Sequence, residues 1–199
     1  VSLAELVKSF HFYYLSHDHG LIYDYPSREY EVALLAPIRR HLEALGVEVR
    51  LNTPVTQLVR SEQGTLVDGE VFDKVVVAAD ARAASRLMAS AQGFPEGPWQ
   101  QQLAELRAGQ RYAVLRLFLD RDVRAGLPYF VVTDRLRLLD AVTLYHRLEQ
   151  ESAEWVQRQG RGSVIELHSY AVPDDLADEE VKPALIEELL HFFPELTGF

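Results

Sequence analysis

The chain has 199 residues, 48% of them hydrophobic and 25% charged, with a formal net charge of −10. This is the composition of an ordinary globular protein, long enough to bury roughly 70% of its unfolded surface in one large domain or two small ones. The acidic balance argues against nucleic acid as a partner, because phosphate contacts need clustered Lys and Arg, and the nearest thing to a patch is Arg124, Arg135 and Arg137.

With no cysteine, disulfides, thiolate nucleophiles, iron–sulfur ligation and Cys-rich zinc sites are excluded, which fits a bacterial cytoplasmic protein. No run approaches the ~20 apolar residues that span a bilayer. The opening Val1-Ser2-Leu3-Ala4-Glu5-Leu6 has neither a basic region before an apolar core nor an initiator Met. The closing Leu196-Thr197-Gly198-Phe199 precedes no capping element. Both ends fit an internal fragment of a longer chain.

Residues 1–46 read as a helical, aromatic-rich segment. Phe10, Phe12, Tyr13 and Tyr14, followed by Tyr23, Tyr25 and Tyr30, either pack a core or line a pocket for a long apolar substrate. Within the segment, Leu34, Leu35, Ile38, Leu42 and Leu45 form one apolar stripe, predicting a helix over 29–45 that Gly46 caps. Val47 to Leu51 alternates strictly and predicts a half-buried strand, and Val55 to Arg60 predicts a second extended run. Asp68-Gly69 between alternating arms predicts a hairpin. Val75 to Ala79 is a continuous apolar run, as in a strand covered on both faces, and Asp80 is placed to cap a helix over 81–90. Residues 91–100, with two Gly and two Pro, read as a loop. Strands are predicted at 111–119, 128–133 and 163–171, and helices at 148–158 and 180–192. In the last strand Glu166, His168 and Tyr170 share one polar face.

His17-Asp18-His19 offers two imidazoles and a carboxylate, but no partner motif of metal-site spacing accompanies it, so a polar loop is favoured and no metal is assigned. Ser16 lacks the strand–turn–helix setting of a nucleophile. Nor does the chain hold a strand–Gly-x-Gly-x-x-Gly–helix phosphate cradle, since Gly93/Gly97 and Gly160/Gly162 lack the flanking elements.

From Pro37 to Met88 the sequence reads "PIRRHLEALGVEVRLNTPVTQLV", then "TLVDGEVF", then "DKVVVAADARAASRL". In order, spacing and residue type this resembles the central part of flavin-dependent oxidoreductases of the phytoene desaturase and amine oxidase type. More narrowly, "HFYYLSHDHGLIYDYPSREYEVALL" and "VIELHSYAVPDD" resemble the branch with carotenoid desaturases and the β-carotene desaturase/methylase enzymes of aromatic carotenoid synthesis. The resemblance implies FAD as cofactor in the full-length protein. Pro54 and Val55 match the strand that meets the adenine, while Ala78, Ala79 and Asp80 match the strand tip beside the dinucleotide. It also implies that the N-terminal dinucleotide-binding unit and the C-terminal flavin-closing segment lie outside this chain, so the fragment alone holds no FAD and is inactive.

The fold expected is α+β: residues 47–90 as part of a flavin-binding domain with short strands and a hairpin, and 91–199 as a mixed-sheet substrate domain with helices on one side. The function expected is desaturation or isomerisation of an apolar, carotenoid-like substrate contacted by Phe12, Tyr14, Tyr23 and His168; the catalytic residues are not assigned. A polyene enzyme collects its substrate from lipid, so a cytoplasmic protein with peripheral membrane contact fits. An uncovered strand 75–79 favours a homodimer of the fragment. The competing readings are a non-enzymatic lipid- or partner-binding module and a metal hydrolase around His17-Asp18-His19.

Overall fold

The computed structural model describes residues 2–16, 18–19 and 24–199. Helix α1, Leu3–Phe10, is capped by Ser2, whose hydroxyl accepts the Glu5 N–H at 3.2 Å, and it widens into a π-helical turn at His11–Leu15. A second π-helical turn, Glu31–Leu35, runs directly into α2, Ala36–Ala44, so the helix predicted over 29–45 forms. The wide turn has a local cause: Pro37 has no N–H to donate and its ring crowds the carbonyl one turn back. Beyond α2, Gly46 takes φ of 80°, the left-handed geometry that ends a helix.

Three short antiparallel strands follow: β1 (Leu58–Ser61), β2 (Gly64–Val67) and β3 (Glu70–Phe72). Val67 pairs with Glu70 across Asp68 and Gly69, whose φ values of 47° and 93° make the two-residue turn expected of Asp-Gly. The Asp68 carboxylate reaches back to the Gln57 N–H at 2.8 Å and the Thr56 hydroxyl at 2.7 Å, tying the extended segment before β1 to the hairpin. Helix α3, Ala81–Ala89, begins where predicted: Asp80 Oδ1 accepts the N–H groups of Arg82 and Ala83 at 2.9 and 3.0 Å.

Two predicted strands do not form. Residues 47–51 and 75–79 join no ladder among the described residues. The apolar patterns are present, but a strand is stable only when its backbone finds a partner. Val76 instead stands 87% exposed. The loop predicted at 91–100 is shortened by α4, Pro98–Glu105, which starts at Pro98, a residue suited to a first helical turn.

The second sheet orders its strands β4-β7-β6-β5: β4 is Arg111–Leu119, β5 Phe130–Val132, β6 Ala141–Leu144 and β7 Ser163–Val172. Every pairing is antiparallel, so the α+β class holds but the expected mixed sheet is corrected. Only β5 and β6 are joined by a short connection, as an antiparallel pair allows; the link from β6 to β7 carries helix α5, Gln150–Gln159, and β7 enters between β6 and β4 antiparallel to both. Helix α5 stops at Gly160, and α6, Asp178–Phe192, packs on β4 and β7. Strand β6 is absent from the sequence-based expectation, because it is short and buried throughout, without alternation.

Among the described residues, every buried hydrophobic one except Leu58 lies between Leu119 and Leu196. Val142 and Leu144 of β6, with Ile165 and Leu167 of β7, join Leu185 and Leu189 of α6 in one core cluster on one side of the sheet. Glu188 of α6 enters this core and accepts the N–H groups of Arg137, Leu138 and Leu139 at 3.0, 2.6 and 3.2 Å. The carboxylate thus satisfies three backbone donors that no strand reaches.

Candidate functional site

The opposite face of this sheet is only partly open: Trp155 of α5 packs against Phe118, and Ala141, Thr143, Val164 and Glu166 are buried on it. Strand register puts Val114 across from His168, Arg116 across from Glu166, and Ala141 and Thr143 beside those two on the other flank. Because side chains alternate, Tyr112, Val114, Arg116 and Phe118 emerge together with Glu166 and His168 on the side away from α6. Tyr112, Val114, Phe118 and Tyr170 are all exposed.

At the centre lies a hydrogen-bonded chain. The Tyr112 hydroxyl is 2.8 Å from His168 Nδ1, His168 Nε2 is 3.2 Å from Glu166 Oε1, and Arg116 Nε donates to Glu166 Oε2 at 2.8 Å. The Arg116 guanidinium also sits 4.0 Å above the Tyr145 ring. Glu166 is 8% exposed. Burial opposes its charge, yet hydrogen bonds from His168 and Arg116 and the guanidinium charge prevail and hold the carboxyl down at about 2. Burial, reinforced by the charge on Glu166, pushes the Tyr145 phenol up to about 12 and raises Tyr112 as well. Tyr170 is raised by burial and by Tyr112, Asp140 and Glu166.

Beside this chain opens an aromatic cleft of about 950 Å³, lined by Tyr13, Tyr14, Tyr25, Tyr129, Phe130, Tyr145 and Tyr170 among others. Its size is that of a small-molecule site, and the lining is mainly apolar ring surface with few polar groups. The rim at Tyr170 is shaped by a bulge, since the β4–β7 register slips between Arg111 and Ala113. There the Tyr170 N–H leaves the ladder and is accepted at 2.7 Å by Asp140 Oδ2, while Arg135 bonds both Asp140 and the Ala171 carbonyl.

The residues singled out from sequence are distributed unevenly. Tyr14 lines the cleft, and His168 lies in the polar chain at its edge, its neighbour Tyr170 being part of the lining. Phe12 is 66% exposed, edge-on to Tyr13 with ring centroids 5.1 Å apart, and is not in the cleft lining. Tyr23 and His17 lie outside the described residues. Among the described residues, no group of three or more His, Cys, Asp or Glu is arranged to hold a metal ion, and no helix is long and apolar enough to cross a membrane. Val55 lines a separate hollow of about 640 Å³ with Arg50, Asp68 and Glu70, next to Pro54 in the sequence. Asp80 lines another, of about 620 Å³, with Arg82, Arg107 and Arg111. Ala78 and Ala79 are exposed on the bare segment leading to it.

Tyr112, Arg116, Tyr129 and Phe130 were missed. The first two had a legible signal, the alternation of "RYAVLRLFL", which becomes informative only once its register against Glu166 and His168 is known.

Comparison with known proteins shows what the chain is similar to. The chain is 36% identical over 201 aligned residues to the carotenoid phi-ring synthase of Streptomyces griseus, covering 98% of this chain and 38% of that protein. It is 35% identical over 126 residues to the carotenoid phi-ring synthase of Chlorobaculum tepidum, covering 62% of this chain and 19% of that protein. The chain therefore spans well under half the length of these relatives. Residues 12–197 match the family described as flavin containing amine oxidoreductase, nearly the whole sequence, and the chain belongs to that family.

Proposed function

We propose that this chain is the substrate-facing part of an FAD-dependent oxidoreductase that desaturates or isomerises an apolar, carotenoid-like molecule. The observation that carries the reading is the aromatic cleft on the partly open face of the four-stranded sheet, in a chain of a flavin-containing family. A flat conjugated molecule gains both area burial and ring-on-ring contact from such walls. The names of the two relatives supply the substrate class. Tyr14, with Tyr13 beside it, supplies one wall, and His168 marks the polar edge of the floor.

The residues present fit one side of a dinucleotide site. At 78–79 the chain offers an exposed backbone with side chains no larger than a methyl group, which lets ribose or phosphate approach closely. Pro54 and Val55 would meet the adenine, and Ala78, Ala79 and Asp80 the ribose-phosphate. Asp80 Oδ1 is engaged by the α3 amides, so its role there is to hold the helix start. The bound flavin supplies the hydride acceptor. In this reading further sequence completes the site, which is supported by a match that covers only 38% of the Streptomyces griseus relative. The same reading takes the chain by itself to be inactive. The exposed stripe Leu3, Leu6, Val7 and Phe10 on α1 suits peripheral contact with the lipid that stores such a substrate.

The test compares the 199-residue chain with the complete protein. The complete protein is expected to purify with flavin absorbance and to convert a cyclic carotenoid, while the chain alone is colourless and inert. A complete protein that cannot be loaded with FAD would end the proposal.

A further inference from the structure

The chain Tyr112–His168–Glu166 has the form of a proton relay, with a solvent-facing phenol, an imidazole bridging two partners, and a buried carboxylate. Glu166 is fixed by Arg116 on one oxygen and by His168 on the other. A carboxylate accepts only, so His168 donates Nε2–H to Glu166; in the neutral imidazole Nδ1 is then the atom left to accept the Tyr112 O–H at 2.8 Å. Tyr112 is 53% exposed and stacks on Tyr170, with centroids 5.5 Å apart and planes at 21°. Tyr170 lines the aromatic cleft, whereas Tyr112 lines the neighbouring hollow that also holds Asp80, so the stacked pair stands between the two. The remaining titratable and charged groups around the imidazole are Arg116 from β4, Tyr170 from β7, and Asp140 and Tyr145 at the two ends of β6.

We propose that this relay takes up a proton released from carbon by a substrate that extends from the cleft across the stacked Tyr170 ring to Tyr112, with Tyr112 as the catalytic residue and His168 and Glu166 as positioning and proton-storing residues behind it. The inference rests on the substrate reading above. The step starts from a cationic carbon framework, the species left when a hydride has been lost to an oxidant of the flavin class. A C–H bond next to the cationic carbon breaks, and its electron pair becomes the new C=C bond. The proton goes to Tyr112 Oη as the phenol's own proton passes to His168 Nδ1. The imidazolium so formed faces the Glu166 carboxylate, which balances its charge, and Tyr112 ends as it began. Burial and the nearby Glu166 charge raise the Tyr112 phenol, so it rests protonated and acts through His168 rather than as a free phenolate. The ion pair between the buried Glu166 and the exposed Arg116 also has a use under this reading, because it fixes the carboxylate that faces the imidazole.

The test uses the complete flavin-loaded protein and its Tyr112→Phe variant, which keeps the exposed ring and its stack on Tyr170. Three quantities are read: carotenoid binding from the visible spectral shift, conversion rate, and the side-chain nitrogen resonances of His168 in flavin-free protein labelled with 15N-histidine. The relay predicts binding within about twofold of the parent and conversion slower by about 100-fold. It also predicts that His168 is a single Nε2–H tautomer in the parent and that its Nδ1 resonance moves in the variant. Conversion at the parental rate would overturn the relay, and so would Nδ1 resonances indifferent to the substitution. A parent that binds no carotenoid would sink the substrate reading, while the nitrogen resonances would still decide whether the relay exists.

Discussion

The part of the chain before β4 and the part from β4 onward are built on different principles. From β4 onward, Ile165, Leu167, Val142 and Leu144 are fully buried in the core shared with α6. Before β4, Leu3, Leu34, Leu35, Ile38, Leu45 and Val76 are exposed although their spacing is that of buried faces. The difference teaches that apolar periodicity reports that a face will be covered, not that the covering element lies in the same sequence. In the later part the cover is α6. In the earlier part the local bonds are those that need no distant partner: the Asp80 cap, the Asp-Gly turn and the Asp68 clasp on Thr56 and Gln57.

The largest expected effect comes from breaking the later core. Leu167→Ala leaves a cavity between the sheet and α6 and should cost about 3 kcal/mol of unfolding free energy in denaturant titrations. The same truncation at Ile38, which is 47% exposed, should cost less than about 1 kcal/mol. Equal costs would erase the contrast.

Next in size is Glu188→Leu, which keeps apolar volume but strands the N–H groups of Arg137, Leu138 and Leu139. Circular dichroism melts should show a loss of about 2 kcal/mol, the cost of unpaired buried donors. A neutral result would mean that the segment finds other partners.

A smaller effect concerns the partly open face. Glu166 has its carboxyl lowered from an ordinary 4.5 to about 2 in the folded chain, so it contributes stability that is fully present above 4.5 and is lost as pH falls towards 2. Glu166→Gln should flatten the dependence of stability on pH within that window and leave the shape of the profile at higher pH unchanged. An unchanged slope within the window would show that the carboxylate is not held by Arg116 and His168.

The elements legible in sequence were those whose signal is local. The helix over 29–45, the Asp68-Gly69 turn, the Asp80 cap, the strand with Glu166, His168 and Tyr170 on one face, and the terminal helix all follow from spacing within a dozen residues. The errors came where pairing decides. Residues 47–51 and 75–79 have strand patterns without a ladder, and β6 has a ladder without a strand pattern. The antiparallel sense of the second sheet is likewise a property of connections rather than of any strand. For the site, His168 and Tyr14 could be picked out as unusual polar and aromatic positions. Their relation to Tyr112, Arg116 and Tyr129 could not, because it depends on the register of β4 against β7 and on the approach of a distant segment to β5.

The central claim is that the partly open face of the second sheet, at the aromatic cleft, holds the apolar substrate. Photo-crosslinking of the complete protein with a diazirine-bearing carotenoid, followed by peptide mass mapping, tests it most directly. The account predicts adducts on the peptides carrying Tyr129, Phe130, Tyr145 and Tyr170. Adducts confined to α6 or to the hairpin β2–β3, with none on those peptides, would contradict it.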